Sequence, residues 1–306
     1  MKKYYPQLLL TAGLLILGFA LFYFFRGLKL EKILLSIGTF PKETLILVTL
    51  SSAVQIVFMT LRFWFLLPNE VPLSKASQAL IFGHLANNFA PARAGEALKI
   101  VFLNKGDHSL SLLTATGSFA ADKIVDLLSL ILLFILFGSY RSSVFHFSLP
   151  HWNWWILLLS FLGLSGLVVL GIRKSKIREK IQVSLAKLAF GFNSIKNPKR
   201  ASLGLLFGVC CWASEVVALH LLCSAQGLSF STGEIIGVIC VLNLGLSLAV
   251  SIANLGTFEA SMVYALTKLS CPPETALAIA ICHHALQLIS VVSLASFLAV
   301  KNIKTS

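Results

Sequence analysis

Asn87-Asn88-Phe89-Ala90-Pro91-Ala92-Arg93-Ala94-Gly95-Glu96 interrupts a long apolar stretch with helix-breaking and charged residues. Pro91 has no backbone N–H and turns Ala90 away from helical angles. Gly95 admits backbone angles that other residues resist. A second interruption, Ser251-Ile252-Ala253-Asn254-Leu255-Gly256-Thr257-Phe258-Glu259, stands in the last third of the chain. The sequence around them is far too apolar for a soluble fold. Residues 44–67 hold one charge, Arg62; residues 202–227 hold one, Glu215; residues 275–300 hold none. A hydrocarbon core of ~30 Å takes about 20 apolar helical residues to cross, and these runs reach that length. Charged residues make up 12% of the 306-residue chain, half of the ~25% usual in soluble domains. The expectation is an all-α, polytopic membrane protein formed as a single membrane domain over residues 1–306.

Charge sets the expected orientation. The net charge of +13 is the sign that cytoplasmic loops of membrane proteins carry, and it implies no nucleic-acid partner. Residues 173–200 hold nine Lys and Arg against Glu179 alone and read as a cytoplasmic, basic amphipathic segment touching anionic lipid. Residues 138–151 carry only Arg141 and read as external. The stretch at 6–25 is too long for a signal-peptide apolar region and reads as the first span. Spans then follow at 44–67, 110–137, 152–172, 202–225 and 275–300, with both termini cytoplasmic in the cell membrane. Residues 26–43 read as a short interfacial helix. Residues 75–105 and 232–270, each holding one interruption, start and finish on the same side, so they read as re-entrant broken-helix hairpins. Residues 1–137 and 152–300 thus contain the same parts in opposite orientation, an inverted repeat used by many transporters.

The interruptions carry the candidate chemistry. Non-helical backbone at membrane depth is tolerated where protein covers it or a wet cavity solvates it. Asn87, Asn88 and Asn254 offer donors and acceptors to the broken ends, Gly256 permits the turn, and Thr257 is placed to cap the following helix. Each break aims a fresh helix N-terminus inward, a seat for phosphate, and Arg93 adds a bidentate donor. Glu96 and Glu259 fall in the first turns after the breaks, where they stabilise the helix ends or hold a cationic group or a proton. Lys99 follows one turn after Glu96. Asp122 and Asp126 share a helix face, with Lys123 spaced to pair with Asp126. Arg62 and Glu215 are candidates to pair across the two halves. Such intramembrane charges are costly and mark cavities or partners. His84, His220, His283 and His284 are isolated polar points. Adjacent His283 and His284 diverge by about 100°, and no cysteine spacing forms a metal set. No metal and no cofactor are expected.

Asn87-Asn88-x-x-Pro91-x-Arg93-x-Gly95-Glu96-x-x-Lys99, together with Leu61-Arg62-Phe63-Trp64, Asp122-Lys123-x-x-Asp126 and Asn254-x-Gly256-x-x-Glu259, resembles the signatures of a flippase-like membrane family. That family is related to the transmembrane region of lysylphosphatidylglycerol synthase. The resemblance spans essentially the whole chain. It implies translocation or handling of a lipid with an anionic or lipid-linked head group. No aminoacyltransferase domain follows Val300, so lysine transfer by this chain alone is not implied. A membrane-embedded transferase and a non-catalytic subunit of a lipid synthase are the alternatives. No ATP-binding motif occurs, so transport would draw on a gradient.

Overall fold

The computed structural model describes residues 26–90, 94–137, 178–247 and 256–305. The expected spans at 6–25 and 152–172 and the loop 138–151 lie outside these residues, as do Pro91, Arg93 and Asn254. The described residues form eleven helices and no strand: α1 (Leu30–Gly38), α2 (Lys42–Leu66), α3 (Leu73–Asn87), α4 (Ala94–Asn104), α5 (Leu112–Phe137), α6 (Arg178–Gly191), α7 (Asn193–Lys196), α8 (Pro198–Ala225), α9 (Thr232–Ser247), α10 (Thr257–Lys268) and α11 (Pro273–Thr305). Prolines set several of the starts. Pro41 and Pro72 precede α2 and α3, and Pro198 and Pro273 open α8 and α11. The missing N–H costs nothing in a first turn. Asn197 completes the start of α8 by accepting the N–H groups of Lys199 and Arg200.

Three helices are long and apolar enough to cross a membrane: α2, α8 and the Pro273–Val300 part of α11. Helix α5 matches them in length, with 26 residues, and carries Asp122, Lys123 and Asp126 in its middle. Its outward residues are apolar: Ile124, Leu127, Leu128, Ile131 and Ile135 are exposed, while Ser118, Asp122 and Ser129 are buried. Oil-facing outside and charge-bearing inside is the reverse of a water-soluble helix and suits a lipid solvent. Helices α2 and α8 pack along their length. Gly204 lies on the Leu66 side chain and Gly208 on Ser129 and Arg62, small residues letting the backbones approach.

The two interrupted segments each fold into a pair of packed, antiparallel helices. In the first, Lys75 Nζ donates to the carbonyls of Lys105 and Asp107 at 2.7 and 2.6 Å. That contact closes the base, and Gly83 meets Gly95 near the tip. Helices of 15 and 11 residues reach only about 22 and 16 Å. In the second, Gly245 of α9 lies against Ser261 of α10. The expected short helix after residue 26 is present as α1, with Leu30, Leu34 and Leu35 exposed.

The described part of the basic segment holds two helices, α6 ending at Gly191 and α7 beginning at Asn193, and α6 is pressed against α5. A Cβ on Gly117 would stand 2.1 Å from the Leu188 carbonyl oxygen, and one on Gly191 would stand 2.4 Å from the Ser118 nitrogen. Arg200 then clasps the end of α2, donating to the carbonyls of Phe65, Trp64 and Leu67 at 2.9, 3.0 and 2.9 Å and to Asn69. These are the orphan carbonyls of a helix C-terminus, which a guanidinium satisfies well.

Gly95 tests the first hairpin's packing. A Cβ there would meet the Gly83 carbonyl oxygen at 2.0 Å and the Asn87 nitrogen at 2.7 Å, both backbone atoms, whereas Gly38 has nothing within 4 Å. Gly95→Ala should destabilise by about 1–3 kcal/mol, read as a lowered Tm of the purified protein in detergent, with Gly38→Ala unchanged within error.

Candidate functional site

Helices α2, α3, α4, α5, α8, α9, α10 and α11 enclose a cavity of about 320 Å³ into which both hairpins project. Three cations, Arg62, Lys99 and Lys123, and four carboxylates, Glu96, Asp122, Asp126 and Glu215, line it. Gln55, His84, Asn87, Asn88, Trp212, Asn243, His284 and Gln287 add polar groups. Seven formal charges on one small interior surface require local compensation, and three networks supply it.

The first centres on Arg62, which is 2% exposed. Its Nε donates to Asp122 Oδ1 at 2.8 Å, its Nη2 to Asp122 Oδ2 at 3.4 Å and its Nη1 to Asp126. Two carboxylates one turn apart on α5 thereby hold a guanidinium from α2, the planar fork geometry that Arg matches. Arg62 was expected to meet Glu215 and Lys123 to meet Asp126. Neither pair forms, because Asp122 and Asp126 both turn toward α2 while Lys123, one residue round the helix, turns toward the first hairpin.

The second network is at that hairpin's tip. Glu96, in the first turn of α4, accepts from Lys99 Nζ at 2.9 Å, Lys123 Nζ at 3.3 Å and Asn87 Nδ2 at 3.2 Å. The Phe119 ring lies under both ammonium groups, 6.0 Å from that of Lys99 and 5.3 Å from that of Lys123. Lys99 is buried, whereas the Lys123 side chain is 41% exposed, leaving its cation open to a ligand.

The third lies on α11. Gln287 Nε2 donates to both oxygens of Glu215 at 3.1 and 2.9 Å, and His283 Nε2 lies 3.5 Å from Glu215 Oε1. His284 Nδ1 lies 2.8 Å from Glu259 Oε1. The other Glu259 oxygen accepts the Gly256 N–H at 2.6 Å. Gly256 has φ +83°, a region that favours glycine. The cap of α10 therefore falls on Gly256 with the Glu259 carboxylate closing it, and Thr257 is the first helical residue instead of the cap.

The structure thus gathers Asn87, Asn88, Glu96, Lys99, Arg62, Asp122, Lys123, Asp126 and Glu215 around one cavity. Gly95 serves hairpin packing. Glu259 belongs to an adjoining, mostly apolar cleft of about 410 Å³ that also includes Asn88, Phe89, Ile281, His284, Ala285 and Leu288. Asn88 and His284 line both spaces. Sequence reasoning missed Gln55, Trp212, Asn243 and Gln287. For Gln287 a signal existed: His283, His284 and Gln287 repeat the spacing of Asp122, Lys123 and Asp126. Among the described residues no three His, Cys, Asp or Glu side chains converge as metal ligands.

Outwardly apolar, inwardly charged helices around such a cavity define an integral membrane protein. The chain belongs to the family described as lysylphosphatidylglycerol synthase TM region, whose profile matches residues 10–295, a membrane family linked to lipid handling. No curated protein matches the chain.

Removing one partner of a buried ion pair leaves the other uncompensated, at a cost of about 3–5 kcal/mol. Arg62→Met should lower stability by that order, measured by denaturant unfolding in detergent. Adding Asp122→Asn and Asp126→Asn to Arg62→Met should recover a large part of the loss. Equal loss in the triple variant would mean that Arg62 acts by packing alone.

Proposed function

We propose that this protein moves a phospholipid or lipid-linked head group between the two leaflets of the cell membrane, with both chain termini cytoplasmic. The observation that carries the reading is the charged cavity between the two hairpins with an apolar cleft at its side. A head group lies in the polar space and an acyl chain follows along the cleft or in the surrounding bilayer. Lys123, the most exposed cation of the lining, and the N-terminal turn of α4 hold phosphate. Arg93, beside that turn in sequence, is assigned to the same task. Asp126 and Glu215 face a cationic group where the head group has one. The remaining candidates on the breaks, Asn87, Asn88, Pro91, Gly95, Lys99, Asn254, Gly256, Thr257 and Glu259, shape and line the route.

The same reading makes the hairpins re-entrant from opposite faces and the two halves an inverted repeat of about six full spans. The networks support it. In the first half, α5 presents residues 122 and 126 to Arg62 on α2, and residue 123 to Glu96 in the first turn of α4. In the second, α11 presents residues 283 and 287 to Glu215 on α8, and residue 284 to Glu259 in the first turn of α10. The element order and the residue spacing agree. Transfer chemistry needs a carboxylate poised to take a proton from its substrate. Here Asp122, Asp126 and Glu96 are held by guanidinium and ammonium groups, which favours holding over acid–base work at that side of the cavity.

The test is purified protein in liposomes carrying fluorescent phosphatidylglycerol or phosphatidylethanolamine, with outer-leaflet label quenched by dithionite. The wild type should accelerate inter-leaflet movement, and Lys123→Gln should cut the rate by about tenfold, the ~1.4 kcal/mol of one lost charge-assisted contact. Lys187→Gln, on the exposed face of α6, should leave it unchanged. Chemical conversion of the lipid, seen by mass spectrometry, would instead identify a transferase.

A further inference from the structure

The two halves place equivalent side chains at equivalent points, yet they balance charge differently. Around α5, guanidinium and ammonium groups meet the carboxylates: Arg62 faces Asp122 and Asp126, and Lys99 and Lys123 face Glu96. Around α11, the groups that Glu215 and Glu259 meet among the described residues are imidazole, amide and backbone N–H. A carboxylate withdrawn from water without a counter-charge is expensive. Among the described residues, the partner that can cancel its charge is the imidazole, on taking up a proton.

We infer that the Glu259–His284 pair, seconded by Glu215–His283, is a proton-binding site that couples lipid movement to a proton gradient. The coupling rests on the transport reading above; the proton site does not.

Three further features fit this role. His284 lines both the charged cavity and the apolar cleft, so a proton arriving through the cavity reaches it directly. Glu259 spends its second oxygen on the Gly256 N–H at the start of α10, so the pair ties the tip of the second hairpin to α11. Protonating that carboxylate removes charge from the Gly256 bond and loosens the tie. His283 is fully buried, and among the described residues its Nδ1 has no hydrogen-bond partner, while its Nε2 faces Glu215. Phe258 stacks on His284 at 4.6 Å and tilts against His283 at 5.8 Å. The groups that set the local field are Arg62 from α2, His84 from α3, Glu215 from α8 and Glu259 from α10, while α1 keeps Glu31 and Lys32 exposed. Of these Arg62 is the fixed cation, and Asp122 and Asp126 engage it. The step is a proton transfer alone. A proton leaves water on one side, forms an N–H or O–H bond within the pair, and departs to water on the other.

Two readouts on the full chain separate the proton site from transport. The first is infrared difference spectroscopy of the reconstituted protein on acidification, with no lipid gradient. The wild type should show one proton's change per pair, as an imidazolium signal or as loss of carboxylate absorption, and Glu259→Gln and His284→Gln should each lack that component. Either glutamine keeps hydrogen-bonding capacity at its position, and the Tm of each variant reports whether the fold is preserved. The second is the ratio of lipid movement with an imposed pH gradient to movement without one. It should be about tenfold in the wild type (the ~1.4 kcal/mol of a tenfold change) and fall to about one in both variants, whatever their residual rates. An acidification signal indifferent to both substitutions would overturn the proton site even if lipid moves. A signal that depends on both residues in a protein that moves no lipid would sink the transport reading and leave the proton site standing.

Discussion

A guanidinium withdrawn from water needs counter-charge and hydrogen-bond acceptors at the same spot, and Arg62 finds both in Asp122 and Asp126. This junction joins α2 to α5, and α8 closes over it through Gly208, where a side chain would strike Ser129 and the Arg62 stem. Three of the longest described helices therefore meet at one ionic knot. The apolar faces turn outward because the polar residues have already been claimed inside. Apolar contact between helices gains little in a lipid solvent, so association depends on small-residue packing and on interhelical polar bonds of this kind. The hairpins take their places around that knot, and the cavity is the space they leave.

The sequence announced much of this. Runs with at most one charge marked α2, α8 and α11, and the paired breaks marked the helix ends to within a few residues: α3 ends at Asn87 and α4 begins at Ala94, while α10 begins at Thr257. Asp122 and Asp126 were correctly placed on one face, and Glu96 and Glu259 in first turns. The partnerships were not legible. Spacing along a helix favoured Lys123 with Asp126, but tertiary structure gave Asp126 to Arg62 and Lys123 to Glu96. Histidines in an apolar helix looked like isolated polar points until α8 and α10 supplied their carboxylates. Interhelical angle and rotation decide each of these, and a single helix does not encode them.

Seen through the networks, the cavity has two unlike walls. The wall built by α2, α4 and α5 carries charges of both signs, and the side built by α8 and α11 carries Glu215 met by imidazole and amide, with Glu259 of α10 in the adjoining cleft. A transporter that must bind a charged head group and then release it benefits from such a division. On the proposed reading, one wall holds the head group and the other takes up the proton. A family linked to lipid handling is a setting in which that division has an evident use.

The central claim is that both hairpin tips meet near the bilayer centre and keep a charged cavity there. Depth measurement tests it most directly. Single spin labels at Asn88 and Ser247, introduced after replacing Cys210, Cys211, Cys223, Cys240, Cys271 and Cys282, would be compared with labels at Lys75 and Ser231 by their collision rates with oxygen and with a water-soluble nickel chelate in liposomes. The account predicts mid-membrane depth for Asn88 and Ser247 and surface depth for Lys75 and Ser231. Surface depth for both tip labels would mean that no such cavity exists within the membrane, and the account would fail with it.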